Sequence, residues 1–411
     1  LNNSYKIGFW REEQVNDTTV KRTLVPVTSF IWTLRYRESK HSFRNENMTQ
    51  NLEFWPTTYL NPVETDDFQK YWSVRNTIGV SLLEGFNKWA KAALTAFATH
   101  EIRSYSMESG CKAPTGAQIE AMTPITISDI PLAEKENLLW VGARLTKQQG
   151  RIINYDATGE IGLVGPAAGE IKVNGELTTR IPLLGDTVPV RAFGHFTNLS
   201  APWLMQHFWS NHFMWENSFS KTRSLRLGGE ISIPWTQTHF NFAVENVQNQ
   251  IYFDENALPA QHGGSVQIVS ATLHQNFHFG PFYWQNRLTW QKSSEQAVIP
   301  LPQLVVASNA SLQFKIATLF VQFGINGTYF TKYKSVDFQP ATMSFYNQNA
   351  VDIGNYPMVD VYLNCKLSKV RFYLMMSHVN QGLTGTNWFS MPHYPINPRK
   401  FQLGLSIDFA N

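Results

Sequence analysis

The residues that most constrain this chain are the alternating ones near its end. Phe401, Leu403, Leu405, Ile407 and Phe409 interleave with Gln402, Gly404, Ser406 and Asp408. A period of two places the apolar set on one face of a strand and the polar set on the other. Val359, Val361, Leu363, Cys365 and Leu367 repeat the pattern against Asp360, Tyr362, Asn364 and Lys366. So do Ile171, Val173, Leu177 and Ile181 against Lys172, Asn174, Glu176 and Arg180. Helical spacing occurs almost nowhere, and sixteen such strands can be counted from Phe30 onward.

The connections alternate too. Short ones fall at Gly85–Asn87, Gln148–Gly150, Leu183–Asp186, Pro234–Gln237, Gly280–Pro281, around Ala317 and at Ser368, and long ones at residues 38–71, 107–137, 200–221, 253–263, 293–308, 332–356 and 381–398. Only Val164–Ala167 is short on the long side. Short turns at one end, long loops at the other and strands of ten or so residues are the pattern of an outer-membrane barrel. The expectation is therefore an all-β fold: a transmembrane antiparallel β-barrel of about 16 strands (14 to 18), with short periplasmic turns and long extracellular loops. It occupies residues 28–411, and residues 1–27 form either a periplasmic segment or a first strand.

Alternation alone does not say which face is inside, because a soluble sandwich buries its apolar face and a membrane barrel turns it to lipid. Three features favour lipid. The strands reach the 9 to 11 residues that a tilted crossing needs. Tyr36, Trp72, Trp290, Phe401 and Phe409 sit near strand ends on the apolar face, as an interfacial girdle requires. Finally, Gln402, Gly404, Ile407 and Phe409 are similar in spacing to the C-terminal signal read by the barrel-insertion machinery.

Composition closes other routes. Only 16% of residues are charged, against about 25% in an ordinary globular chain. The longest uncharged run, Ala192–Trp215, contains Asn198, Pro202, Gln206 and Asn211 and fails as a spanning helix. A net charge of +3 without basic clusters excludes nucleic acid as a partner. Cys111 and Cys365 form no metal pattern, and no cofactor motif occurs. Leu1 lacks a preceding Met or leader pattern, so the chain reads as mature or truncated.

Several stretches are more specific. Ser210–Asn217, Ala257–His262, Phe330–Tyr333, Ile353–Pro357, His378–Gly382 and Pro392–Arg399 resemble the putative porins of the Bacteroidota, from about Thr28 to Asn411. The resemblance implies a porin-type barrel in the outer membrane of a Gram-negative cell. It speaks to location more than to function.

No catalytic constellation emerges. His207, His212 and Glu216 are spaced five and four apart and do not share a helical face. His378 is placed on the outward face near a strand end, while Ser377 points the other way. With no phosphate loop or nucleophile elbow, no enzyme is expected. The lumen is the better candidate site. If the apolar face is outward, the polar one presents Arg35, Arg75, Arg144, Lys172, Glu176, Arg180, Arg226, Glu230, Lys315 and Arg371 to the pore, among thirteen positive and seven negative side chains that also include Arg287. A positive surplus favours anions, and cross-strand pairing would cancel it. Passive diffusion of small hydrophilic solutes with weak anion preference is the functional expectation. The alternative is a loop-plugged scaffold subunit of a multi-protein outer-membrane assembly. In that case Trp203, Phe208, Trp209, Phe213 and Trp215 would contact other outer-membrane proteins or lipoproteins. Lipid and the insertion machinery are partners under either reading.

Overall fold

The structure, a computed structural model, describes residues 1–16, 19–46, 55–86, 91–127, 129–150 and 152–409. Asn87 and Ala90, which bound an expected turn and strand, lie outside these residues, as do parts of the connections expected at 38–71 and 107–137. No helix among the described residues is long and apolar enough to cross a membrane.

A single antiparallel sheet of 17 strands carries the fold. In chain order they are β1 (Asn2–Asn16), β2 (Thr19–Asn45), β3 (Thr65–Leu82), β4 (Ala93–Ser109), β5 (Ala133–Lys147), β6 (Ile153–Val164), β7 (Ile171–Leu183), β8 (Asp186–Leu199), β9 (Thr222–Ile233), β10 (Thr238–Gln248), β11 (Ser265–Phe279), β12 (Phe282–Ser293), β13 (Leu304–Ile316), β14 (Leu319–Phe330), β15 (Met358–Leu367), β16 (Val370–Ser377) and β17 (Lys400–Ile407). Every strand pairs with its neighbour in sequence, so the whole is one meander. Among the described residues four short hairpins decorate the long loops, one of them His207–Trp209 with Met214–Glu216.

The alternation translates into facing. Val173, Leu177 and Ile181 are exposed on the outer wall, as are Leu225, Leu227, Phe240, Phe242, Val244, Leu312, Phe314, Phe401, Leu403 and Leu405. Such a continuous apolar surface fits hydrocarbon and not water. On β3 the outward positions from Trp72 to Leu82 are apolar except for Asn76, which stands opposite His100 of β4, over a length close to the 9–11 residues of a crossing. Above Trp72 and Tyr36 the outward side chains become charged. Arg44 pairs with Asp66 at 3.1 Å and Lys70 with Glu108 at 3.1 Å. The tops of β2, β3 and β4 therefore stand above the bilayer.

This is where the strand boundaries differ from expectation. The segments read as loops at 38–71 and 107–137 are partly strand, with β2 running to Asn45 and β4 to Ser109. Outside the membrane the outward face need not be apolar, so the period-two signal fades although the ladder continues.

The seventeenth strand is β1. Its residues Asn2–Ile7 pair with Thr28–Thr33, and beyond a bulge at Ile7/Gly8 the two strands continue as a ribbon from Gly8↔Pro26 to Asn16↔Thr19. That ribbon passes below the rim marked by Thr28↔Leu82. The count is odd, so β1 and β17 run in the same direction, and no ladder joins them among the described residues.

Lumen-facing glycines let aromatic rings lie flat on the wall. Tyr373 covers Gly404 and Tyr362 covers Gly324, where a Cβ would overlap the ring. Such ring-over-glycine pairs pin register between neighbouring strands.

Candidate functional site

The polar face lines the interior, and it falls into two sectors. In the first, on β3 to β10, charges pair across neighbouring strands. Arg144 meets Asp156 at 2.6 Å, Lys172 meets Glu160 at 2.7 Å, and Arg191 bridges Glu176 at 2.7 Å and Glu230 at 3.0 Å. Arg75 lies 3.9 Å from Glu101, which also holds Arg103 at 3.0 Å, and Arg226 is 3.9 Å from Glu245. Trp140 is the hub of this sector. Its indole is 1% exposed, with the cations of Arg75, Arg103 and Lys172 at 5.3, 5.7 and 5.2 Å from the ring. Its Nε1–H donates to Glu170 at 3.1 Å. An indole face attracts cations by its quadrupole, so the ring and the carboxylates together hold three like charges in one patch.

The second sector, on β11 to β15, carries amides and hydroxyls. Tyr362 donates to Asn309 at 3.0 Å, and Asn364 donates to Gln322 at 3.2 Å.

Of the residues expected to line the pore, Arg75, Arg144, Lys172, Glu176, Arg226 and Glu230 face inward in ion pairs. Arg371 pairs with Asp408 at 3.2 Å near the periplasmic end. Arg35 is opposite Arg75 in register. Arg35, Arg180 and Lys315 are exposed to the interior and have no ion pair among the described residues. The expected surplus of free cations is thus smaller than a count by face suggests, because the ladder brings opposite charges within reach. At the terminus, Gln402 and Gly404 face inward while Ile407 and Phe409 face outward, Phe409 being 86% exposed.

The aromatic loop departs from expectation. Residues 200–221 connect β8 to β9, yet Trp203, Phe208 and Trp215 are each only 5% exposed. They pack with Met214 against Tyr105, Met107 and Ile130, and Trp209 and Phe213 join the same cluster. Trp203 stacks on Tyr105 at 5.0 Å and Phe208 on Trp215 at 4.4 Å. The rings expected on a partner surface are therefore spent on a cap that reaches the inner side of β3 and β4, several strands along the wall. Spatial proximity across the mouth, invisible in sequence, makes the difference.

Asn211 is the cap's anchor. It is fully buried. Its Oδ1 accepts the backbone N–H groups of Leu60 at 2.8 Å and Asn61 at 3.0 Å, and its Nδ2 donates to Asn61 O and Thr65 Oγ1, both at 2.8 Å. Its own N–H donates to Asp67 at 2.8 Å. Burial pushes the Asp67 carboxyl up to about 6, opposed by that hydrogen bond. His212 stacks on Trp55 at 4.7 Å, with Nδ1 2.8 Å from Thr57 O and Nε2 2.9 Å from Thr65 Oγ1. Burial lowers its pKa below the ordinary value. His207 pairs separately with Glu216 at 2.8 Å, so the three groups do not converge. His378 also differs from expectation: it is buried beneath the last extracellular loop, bonded to Tyr356 at 2.7 Å and Asn397 O at 2.9 Å.

An antiparallel meander with a lipid-facing apolar wall, a polar interior and long loops on one side defines an outer-membrane β-barrel. The chain belongs to the putative porin family, whose sequence profile matches residues 1–411. No curated protein matches it in sequence. Among solved structures it is similar to the siderophore receptor PirA from Acinetobacter baumannii, at 8% identity and a TM-score of 0.55, covering 93% of this chain and 63% of that one. It is also similar to a mutant of the ferric enterobactin receptor (PfeA) from Pseudomonas aeruginosa, at 12% identity and TM-score 0.55, over 93% and 62%. The ferric preacinetobactin receptor BauA from Acinetobacter baumannii follows at 12% and 0.51, over 93% and 60%. The chain spans less than two thirds of these receptors, and the likeness concerns the fold alone.

Proposed function

We propose that this porin-like barrel provides passive diffusion of small hydrophilic solutes across the outer membrane, with a weak preference for anions. The observation that carries this reading is the continuous polar inner face of a wall of 17 strands, a size at which barrels leave an aqueous channel. The cap of residues 200–221 packs on Tyr105 and Met107 of β4 and on Phe253 of the β10–β11 connection. The anion preference rests on Arg35, Arg180, Arg287 and Lys315, which have no ion pair among the described residues, against the inward carboxylates of Asp156, Glu160 and Glu176, each held by a cation, and Asp360, which accepts from the Asn326 amide and the His378 N–H. The test is conductance of the purified, heat-modifiable protein in planar bilayers, with reversal potentials in a salt gradient. Arg180→Glu shifts the potential toward cations, most at low ionic strength where screening is weak. A silent bilayer with folded protein refutes diffusion.

A second reading, the scaffold alternative, starts from β1 and β17, which run in the same direction and are joined by no ladder among the described residues; backbone groups left unpaired in hydrocarbon are costly, and a further strand of opposite direction, from this protein or from a partner, would pair with both. Native purification followed by identification of what accompanies the protein tests this, and a barrel that purifies alone and conducts counts against it.

A further inference from the structure

Half-way up the amide sector, two adjacent ladder rows meet. One row sets Asn276, Gln285, Asn309 and Asn326 side by side as register partners, and the row next to it sets His274 against Arg287 and Arg287 against Ala307. Ala307 is the small member, and its missing bulk opens a lumenal recess of about 290 Å³ among these side chains. No carboxylate lines the recess, and Arg287 has no ion pair among the described residues, in contrast to Arg144, Arg191 and Arg226 of the other sector. The Asn309 Oδ1 accepts from Tyr362, and beyond it the Asn326 amide donates to Asp360, the next residue of the row, at 3.4 Å. An unpaired guanidinium is a planar fork that matches a carboxylate in a two-point bond, and neighbouring amide N–H groups would complete the shell of such an anion.

We propose that this recess is a binding station for small solutes bearing a carboxylate, with Arg287 as the residue that takes the charged end. It deepens the diffusion reading and rests on it, naming a substrate class for the same lumen. A weak station concentrates its solute at the mid-height of the pore and saturates at high concentration, unlike a bare hole. The recess is small, so the class is limited to compact mono- and dicarboxylates, and the amides hold the uncharged remainder.

The experiment uses succinate as probe on the full chain. In planar bilayers under potassium chloride, succinate lowers the wild-type current in a saturable manner, and Arg287→Gln raises the half-blocking concentration at least tenfold. Arg371→Gln, outside the recess, leaves the block unchanged. Equal block in wild type and Arg287→Gln, or equal block by glucose, overturns the station while leaving the channel standing. Thermal unfolding in detergent reads the site without an open pore: succinate raises the wild-type midpoint and its diamide does not, and the shift disappears in Arg287→Gln of normal heat-modifiability. A channel that does not conduct but shows this shift refutes diffusion and keeps the station. No shift in the wild type overturns the station.

Discussion

Replacing Asn211 with Ala should unlatch the loop that covers part of the mouth without harming the barrel. Asn211 is 0% exposed and its side chain satisfies the N–H groups of Leu60 and Asn61 and the carbonyl of Asn61. Each buried group left without a partner costs about 1–3 kcal/mol, and partial rehydration of a site near the surface lowers the sum to about 3–5 kcal/mol. At about 1.4 kcal/mol per factor of ten, the population of the open cap rises by about two to three and a half orders of magnitude. The apolar cluster of Trp203, Phe208, Trp215 and Tyr105 remains, so opening is local and the wall stays folded. Hydrogen exchange of residues 207–216 should accelerate by that factor, and single-channel current should become larger and noisier. Unchanged exchange would refute the anchoring role, and accelerated exchange with unchanged current would show that the cap does not narrow the path.

The same latch is sensitive to acid. Because burial lowers the His212 pKa, the folded cap binds fewer protons than the open one, so stability is full above the unfolded value near 6.5 and falls as pH drops below it. Asp67, raised to about 6, works in the opposite sense, so the comparison is with His212→Phe, whose cap exchange should lose the acid-dependent acceleration; a variant that keeps it would assign the acid effect elsewhere. Facing is tested by Val173→Arg, which places a charge in hydrocarbon at about 2–4 kcal/mol near the midplane, whereas Arg at the inward Asn174 meets water; equal losses in folding titrations would mean the wall is assigned the wrong way round. Phe409→Asp at the outward end of the terminal signal should cut the heat-modifiable barrel recovered in outer membranes several-fold, and normal recovery would remove Phe409 from assembly.

The strands and their facing were legible because lipid biases every crossing the same way: most side chains on the outer wall are apolar, so Val173 or Leu363 declares its face beside Asn174 or Asn364, and isolated exceptions such as Asn76 and Ser308 do not erase the period. The turns were legible for a similar reason, since a hairpin such as Leu183–Asp186 needs few residues and a loop has no such limit. Above the bilayer the bias lapses. Arg44 and Asp66 face outward there, and the upper parts of β2 to β4 read as loop. The first strand was equally hidden, because only Asn2–Ile7 of it lies against the crossing part of β2.

The interior followed a different logic. Period two places Lys172, Glu176, Arg191 and Arg287 inside, but it does not say which charge reaches which. The register does, leaving Arg191 between two carboxylates and Arg287 beside Ala307. The loop of residues 200–221 is the plainest case. Its tryptophans are as consistent with an exposed contact surface as with a core, and only the curvature of the sheet brings Tyr105 within stacking distance of Trp203. Local periodicity reports the solvent on each side of a strand. Contacts between residues a hundred positions apart depend on how the whole meander bends, and no local pattern encodes that.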